Sequence, residues 1–411
     1  MNVVLLHYAS PPVVGGVETV LARQAELLVR AGHHVQVLTG RGAAWDARIP
    51  VVVLPEADSR HPQVLSLKQE LDRGIVPPEF AGLTDALYAE LRRRLAQADW
   101  LIAHNVASLH KNLALTAALR RFADAPGRTG IILWHHDFAW TGRRYDSELH
   151  PGYPWDLLRT AWPGVRQVTI SEARRTEMSR LFNLPVEQIR VVSNGVDLEN
   201  FLALQPETRL LYERLNLGLA EPLLLAPVRL TRRKNLEFGL RIMAELARKM
   251  PAARWLVTGP LGAHNPDNLA YYRDLCDLRQ ALGLEKTVEF LAESQPQGLT
   301  DAQIADLYRV ADALLITSQE EGFGLPVIEA GLARLVLFTS DLAPLRALGG
   351  EWANYFRLDE EPADVAARIV ERLAGDTAYQ LRAHIRAHYT WDAIYTHQIA
   401  PLLNGSKKEE G

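Results

Sequence analysis

Short apolar runs alternate along this chain with stretches of helical spacing. Asn2 to His7 is a continuous apolar run, the pattern of a strand buried on both faces of a parallel sheet. A loop with Pro11, Pro12, Gly15 and Gly16 follows. Then Val17, Val20, Leu21, Leu27, Leu28 and Ala31 repeat at helical intervals, and Gly32 supplies the stop. His34 to Leu38 reads as the next strand, which closes a βαβ unit with a right-handed crossover. Further strands are predicted at Val51–Leu54, Trp100–Ala103, Ile131–Trp134, Gln167–Ile170 and Ile189–Val192, with helices near Asp85–Ala96 and Leu109–Phe122.

The second half repeats this grammar. Strands are predicted at Leu223–Val228, Trp255–Thr258, Val288–Leu291, Ala313–Thr317 and Leu335–Thr339, with helices between them. One helix opens at Thr300-Asp301-Ala302-Gln303, a capping-box spacing. The turn dipeptide Asn194-Gly195 ends the first unit, and residues 196–220 are polar and irregular enough to hold a linker. Strands alternating with helices predict an α/β protein with open parallel sheets covered on both faces. Two such doubly wound, Rossmann-like units, 1–195 and 196–384, would leave a cleft between them.

Composition narrows the class. With 411 residues, 48% apolar and 23% charged, the chain can bury two sizeable cores and is neither disordered nor collagen-like. Lys and Arg total 45 against 49 Asp and Glu, so the net charge of −4 argues against bulk nucleic-acid binding. The lone Cys276 excludes an intrachain disulfide and a cysteine zinc cage. No segment reaches the roughly 18 apolar residues of a membrane span, and the start lacks a basic n-region. A cytoplasmic protein is expected, with room for peripheral membrane contact.

The richest stretch for chemistry is Glu321-Gly-Phe-Gly-Leu-Pro-Val-Ile-Glu329, after a predicted strand. Pro326 suits the first residue of a helix, and two glycines let the preceding loop approach a ligand. Free amides at a helix start form an anion site, and flanking carboxylates can accept paired sugar hydroxyls. A plain glycine turn with acidic neighbours has the same spacing, so spacing alone leaves both readings open. Arg229 and Lys234, with Arg232 and Arg233 between them, place cations at the carboxyl edge of the sheet, where ligands bind in this architecture. Gly15-Gly16-Val17-Glu18 allows backbone approach but is not the GxGxxG fingerprint, which gives a nicotinamide enzyme little support.

Trp134-His135-His136-Asp137 ends another strand. Metal ligation by this set would make a hydrolase, yet adjacent strand residues face opposite ways and no known ligand spacing is present. One functional histidine, His136, is the favoured reading, and no metal site is expected. From Trp134 to Trp162 lie four of the nine tryptophans, which either pack a core or form an acceptor platform.

Taken in order, GGVE at Gly15, HD at His136, VVSNGVD at Val191, VRLTRRKN at Val228, VTGP at Val257 and EGFGLPVIE at Glu321 resemble one family. That family is the retaining nucleotide-sugar glycosyltransferases of the GT-B fold, carbohydrate-active family four, and the resemblance spans about residues 1–395. It implies transfer of a hexosyl group, mannosyl or glucosyl, from a GDP- or UDP-linked sugar to a hydroxyl acceptor. The acceptor could be a sugar, a polyol or a lipid-linked sugar. Arg229 and Lys234 would neutralise the diphosphate, Glu329 would bind the ribose diol, and Glu321 would contact the transferred sugar. Amides of Phe323, Gly324 and Leu325 would face sugar or phosphate, and His136 would sit near the anomeric centre. Gly15 and Gly16 would approach the donor phosphate or the acceptor across the cleft, and Gly259, within VTGP, would lie at the donor. The resemblance implies no essential metal or cofactor beyond the donor, and a last segment from about 385 that packs back on the first domain. Epimerisation or hydrolysis of the nucleotide sugar is the alternative on the same fold. A metal-dependent hydrolase using His135, His136 and Asp137 and a non-catalytic two-domain binding protein are further alternatives.

Overall fold

The computed structural model describes residues 1–260 and 267–404. The polar tail Ser406–Gly411 lies outside the described residues. Seven parallel strands form the first sheet: β1 (Asn2–Ala9), β2 (His34–Arg41), β3 (Val51–Val53), β4 (Trp100–His104), β5 (Gly130–His135), β6 (Arg166–Thr169) and β7 (Ile189–Val191). Their order is β3-β2-β1-β4-β5-β6-β7. Six form the second: β8 (Leu223–Ala226), β9 (Arg254–Val257), β10 (Val288–Phe290), β11 (Ala313–Ile316), β12 (Val336–Ser340) and β13 (Asn354–Phe356). Their order is β10-β9-β8-β11-β12-β13. Both sheets are doubly wound, and the order in which strands are added reverses between β1 and β4 in one and between β8 and β11 in the other. Ligands in such sheets bind beyond the carboxyl ends of the strands at this reversal.

The described residues divide into two compact units, 1–195 with 391–404, and 196–390. Within the first, the period of two decides which face each residue packs on. Leu5, Ile102, Ile132 and Trp134 pack with helix Gly16–Arg30, whereas Leu6, Leu101, Ala103 and Leu133 pack with helices Glu79–Arg94 and Leu113–Asp124. The returning segment is anchored there: Trp391, Ile394, Ile399, Leu402 and Leu403 join the first of these faces. Gln398 accepts from the Ser193 amide at 2.8 Å. A Cβ on Gly195 would lie 2.7 Å from the Trp391 ring, so the tryptophan packs directly on that glycine.

Several elements differ from expectation. Residues 196–220 hold helices Leu198–Phe201 and Pro206–Arg214, whose Leu211 and Tyr212 are buried in the second core. Their polar faces hid them. Helix Pro62–Leu71 occupies a stretch without clear periodicity, burying only Val64, Leu67 and Leu71. β13 is three residues at a sheet edge, too short to signal itself. The helix after the glycine loop begins at Leu325, which puts Pro326 second. The capping box at Thr300 is present, with both reciprocal bonds formed. Among the described residues, no helix is long and apolar enough to cross a membrane.

Candidate active site

The second sheet brings distant loops together at its reversal point. β8 and β11 are neighbours, so the loop holding Arg229 to Lys234 lies beside the one holding Glu321. Three hydrogen bonds secure these loops. Thr317 Oγ1 donates to the Lys234 carbonyl at 2.9 Å, the Gln319 amide donates to the Arg233 carbonyl at 2.8 Å, and Ser340 Oγ donates to the Ser318 carbonyl at 2.6 Å. Lys234 ends a short 3-10 turn, and Asn235 follows it in the left-handed region. The Lys234 ammonium forms an ion pair with Glu321, their side chains only 9% and 8% exposed. Ser318 Oγ donates to the same carboxylate oxygen at 2.8 Å. Burying both charges in a pair avoids the cost of burying either alone.

Around this pair the backbone is left open. The amides of Gly322, Phe323, Gly324 and Leu325 donate to no described residue. Gly324 has φ of +100°, and a Cβ there would lie 2.6 Å from Leu345 Cδ2, so only glycine fits. The Phe323 and Leu325 side chains are exposed. Arg229 is exposed too and pairs with no described residue, whereas Arg232 is held by Asp274 at 3.1 Å. At Gly259 a Cβ would lie 2.0 Å from the Val228 carbonyl oxygen and 2.4 Å from Arg229 Cα. That glycine lets the Arg229 loop pack closely.

Glu329 lies on the exposed side of helix Leu325–Leu332 and accepts a hydrogen bond from the Tyr308 hydroxyl. Burial, reinforced by that carboxylate, pushes the Tyr308 hydroxyl far above its ordinary range, so it stays a donor. Tyr308 was not foreseen from sequence, because its helix Asp301–Val310 carries a capping box but no ligand-binding motif.

In the first unit, β1, β4 and β5 stand side by side, and three buried histidines meet near their carboxyl ends. His7 Nδ1 donates to the His104 carbonyl at 2.9 Å, and His104 Nδ1 lies 3.1 Å from His136 Nε2. The His136 amide donates to Asn105 Oδ1 at 2.8 Å. Asn105 itself has φ of 58°, a conformation asparagine tolerates. Burial, with His7 and His135 nearby, lowers the His136 pKa to about 3, so the ring is neutral. Gly15 precedes helix Gly16–Arg30, and the Glu18 carboxylate folds over it to within 3.9 Å of His7 Nε2. Gly16 has open space where a Cβ would point. His104 and Asn105 directly follow the strand predicted at Trp100–Ala103, a signal that could have marked them.

The supposed metal set does not converge. His135 Nε2 bonds Gln167 at 2.8 Å and its ring stacks on Phe138; Asp137 pairs with Arg174 at 3.1 Å; His136 turns to His104. Asp72, His110 and Glu148 do have ligand-like spacing. There the Lys68 ammonium already bonds Asp72 and Glu148 at 2.6 and 2.7 Å, so the negative charge is met without an ion. Of the four tryptophans between 134 and 162, Trp134, Trp155 and Trp162 are buried core residues, and Trp140 is half-buried under Arg159. They form packing, not an exposed platform.

Comparison with known proteins agrees with this architecture. The family described as Glycosyltransferase Family 4 matches residues 14–200, and that described as Glycosyl transferases group 1 matches residues 212–388. A D-inositol 3-phosphate glycosyltransferase of Saccharomonospora viridis is 34% identical over 329 residues, 77% of this chain and 71% of that protein. The chain belongs to glycosyltransferase family four. This glycosyltransferase is also 24% identical to an uncharacterised one of Methanocaldococcus jannaschii, over 96% of each chain. The structure of a sucrose-phosphate synthase from Thermosynechococcus elongatus spans 98% of both chains at 17% identity, with a TM-score of 0.37. The two Rossmann-like parallel-sheet domains of this glycosyltransferase are those of the GT-B fold.

Proposed function

We propose that this glycosyltransferase moves a hexosyl group, mannosyl or glucosyl, from a nucleoside-diphosphate sugar to a hydroxyl acceptor, with retention and without a metal. One observation carries the reading. A buried Lys234–Glu321 pair sits beside four unpaired amides and the exposed Arg229, all at the carboxyl ends of adjacent strands. Such a set offers positive charge and N–H donors to a diphosphate and a carboxylate to sugar hydroxyls.

In the reaction the bond from anomeric carbon to phosphate oxygen breaks, and its electron pair leaves with the diphosphate. The acceptor oxygen bonds to the carbon on the same face, and its proton passes to the departing phosphate. Arg229, Lys234 and the loop amides stabilise the leaving charge through preorganised electrostatics. Protein cations thus take the part that a divalent ion plays elsewhere. Glu329, held by Tyr308, binds the ribose diol, and His136 meets a substrate oxygen. A polyol phosphate is a reasonable acceptor class to test, given the named relatives.

The test begins with thermal shifts against GDP- and UDP-linked sugars, since a ligand that binds the folded state raises its melting temperature. The stabilising donor is then incubated with polyol and sugar acceptors, with and without chelator. Transfer with retained anomeric configuration, insensitive to chelation, is expected. Donor breakdown at full rate without acceptor, or a new donor isomer, would replace this reading with hydrolysis or epimerisation. Loss of activity on chelation would overturn metal independence.

A further inference from the structure

The contact between His104 and His136 fixes more than a position. Both rings are buried, and burial lowers both pKa values, so the 3.1 Å contact between two neutral imidazoles contains one proton. Only two arrangements exist. If His136 Nε2–H donates to His104 Nδ1, then the proton of His104 sits on Nε2. That nitrogen is fully buried with no partner, so an N–H donor would be left orphaned. If instead His104 Nδ1–H donates to His136 Nε2, the orphan is a bare lone pair. Orphaned buried N–H donors are somewhat rarer than acceptors with an unused lone pair, although four buried indole N–H groups also lack a partner; that preference favours the second arrangement. His136 then carries its proton on Nδ1. This nitrogen has no described partner, yet it is not among the fully buried orphan atoms, so it retains solvent contact.

We propose that His104 is a positioning residue that locks His136 in the Nδ1–H form, so that His136 meets substrate as a hydrogen-bond donor and not as a base. The clause about substrate rests on the proposed function; the tautomer does not. The lone pair of His136 is spent on His104, so the ring has none to offer an acceptor hydroxyl. That agrees with passing the acceptor's proton to phosphate. The group His136 contacts must present an oxygen lone pair, either a sugar hydroxyl or a phosphate oxygen. Two further contacts keep the geometry: the Asn105 side chain holds the His136 amide, and His7 holds the His104 carbonyl.

The direct test is ¹H–¹⁵N correlation across the imidazole rings of full-length, ¹⁵N-histidine-labelled protein at pH 7.5, with His136 signals assigned by their loss in His136→Asn. We expect protonated Nδ1 and bare Nε2 for His136 in the wild type, and a switch to Nε2–H in His104→Leu. A wild-type His136 protonated on Nε2 overturns the inference, whatever becomes of the variant's folding. In turnover assays, His104→Leu should lower kcat by about ten- to hundredfold, by analogy with loss of the partner that orients a metal-bound histidine, with donor KM little changed. His104→Asn, whose amide nitrogen falls near the lost Nδ1, should recover most of that loss. Failure of the asparagine to recover more than leucine would also count against the proposal. If no donor is turned over by the wild type, the functional reading fails while the tautomer is still decided by the spectra.

Discussion

Replacing Lys234 by methionine keeps most of the side-chain volume and removes the charge. The structure sets the expected cost. Glu321 would stay in a site where its side chain is 8% exposed, with Ser318 as its remaining donor at 2.8 Å. Breaking one partner of a buried pair costs about 3–5 kcal/mol, and the retained serine bond argues for about 3. Adding Glu321→Leu should restore most of this, because an apolar pair often replaces a buried ion pair at no net cost. Urea unfolding of the three proteins measures it. Turnover should behave differently. With its leaving-group cation gone, Lys234→Met should lose at least about a hundredfold in kcat, the scale of one charge-stabilising group. The double variant, which also lacks the carboxylate proposed to hold the sugar, should be at least as slow although it is stable again. A single variant as stable as wild type would refute the buried-pair reasoning. Near-normal kcat at saturating donor in either variant would refute the leaving-group role.

Tyr308→Phe frees the Glu329 carboxylate to rotate, so donor KM should rise about fivefold or more with kcat little changed, as for loss of about 1 kcal/mol of uniform binding. A changed kcat at constant KM would place Glu329 elsewhere in the reaction. Gly324→Ala should cost about 2 kcal/mol or more, from the left-handed backbone and the contact with Leu345. Gly16→Ala should leave stability unchanged, since nothing lies near its Cβ; weaker donor or acceptor binding in that variant would then report ligand approach directly. Acid stability should follow the histidines. Burial lowers His7 and His135 to about 4 and His136 to about 3, and lowers His104 well below its usual value. The unfolded chain therefore binds protons below about pH 6.5 that the folded chain refuses. Stability should be level above that pH and decline as pH falls through about 4. Unfolding at pH 5 should take up about two or more protons, read from urea midpoints against pH. A flat profile between pH 7 and 5 would show that these rings are hydrated.

Much of the fold was legible because its signals are local. Twelve of the thirteen strands among the described residues arise from short apolar runs, and the helix from Asp301 announces itself through Thr300 and Gln303. The elements that escaped are those whose stability is not local. Helix Pro206–Arg214 is mostly polar and held by its few buried side chains, and β13 exists because β12 gives it an edge to pair with. The tryptophans of residues 134–162 could be read as platform or packing from composition, and only burial decided for packing.

The site shows the same division. Sequence alone determined that glycines, carboxylates and cations follow strand ends, because loops at the carboxyl edge of a parallel sheet lie next to those strands in the chain. It could not determine which of them touch. Lys234 and Glu321 are 87 residues apart in sequence, and Tyr308 and Glu329 are 21 apart. The second pairing depends on how the helices before and after β11 pack, and the first on strand order, which places β8 against β11. His104 and His136 meet for the same reason, across the β4–β5 pair. Strand order is a property of the whole core, settled by which apolar faces bury one another. Which nitrogens of His104 and His136 face each other therefore became readable only in the folded protein.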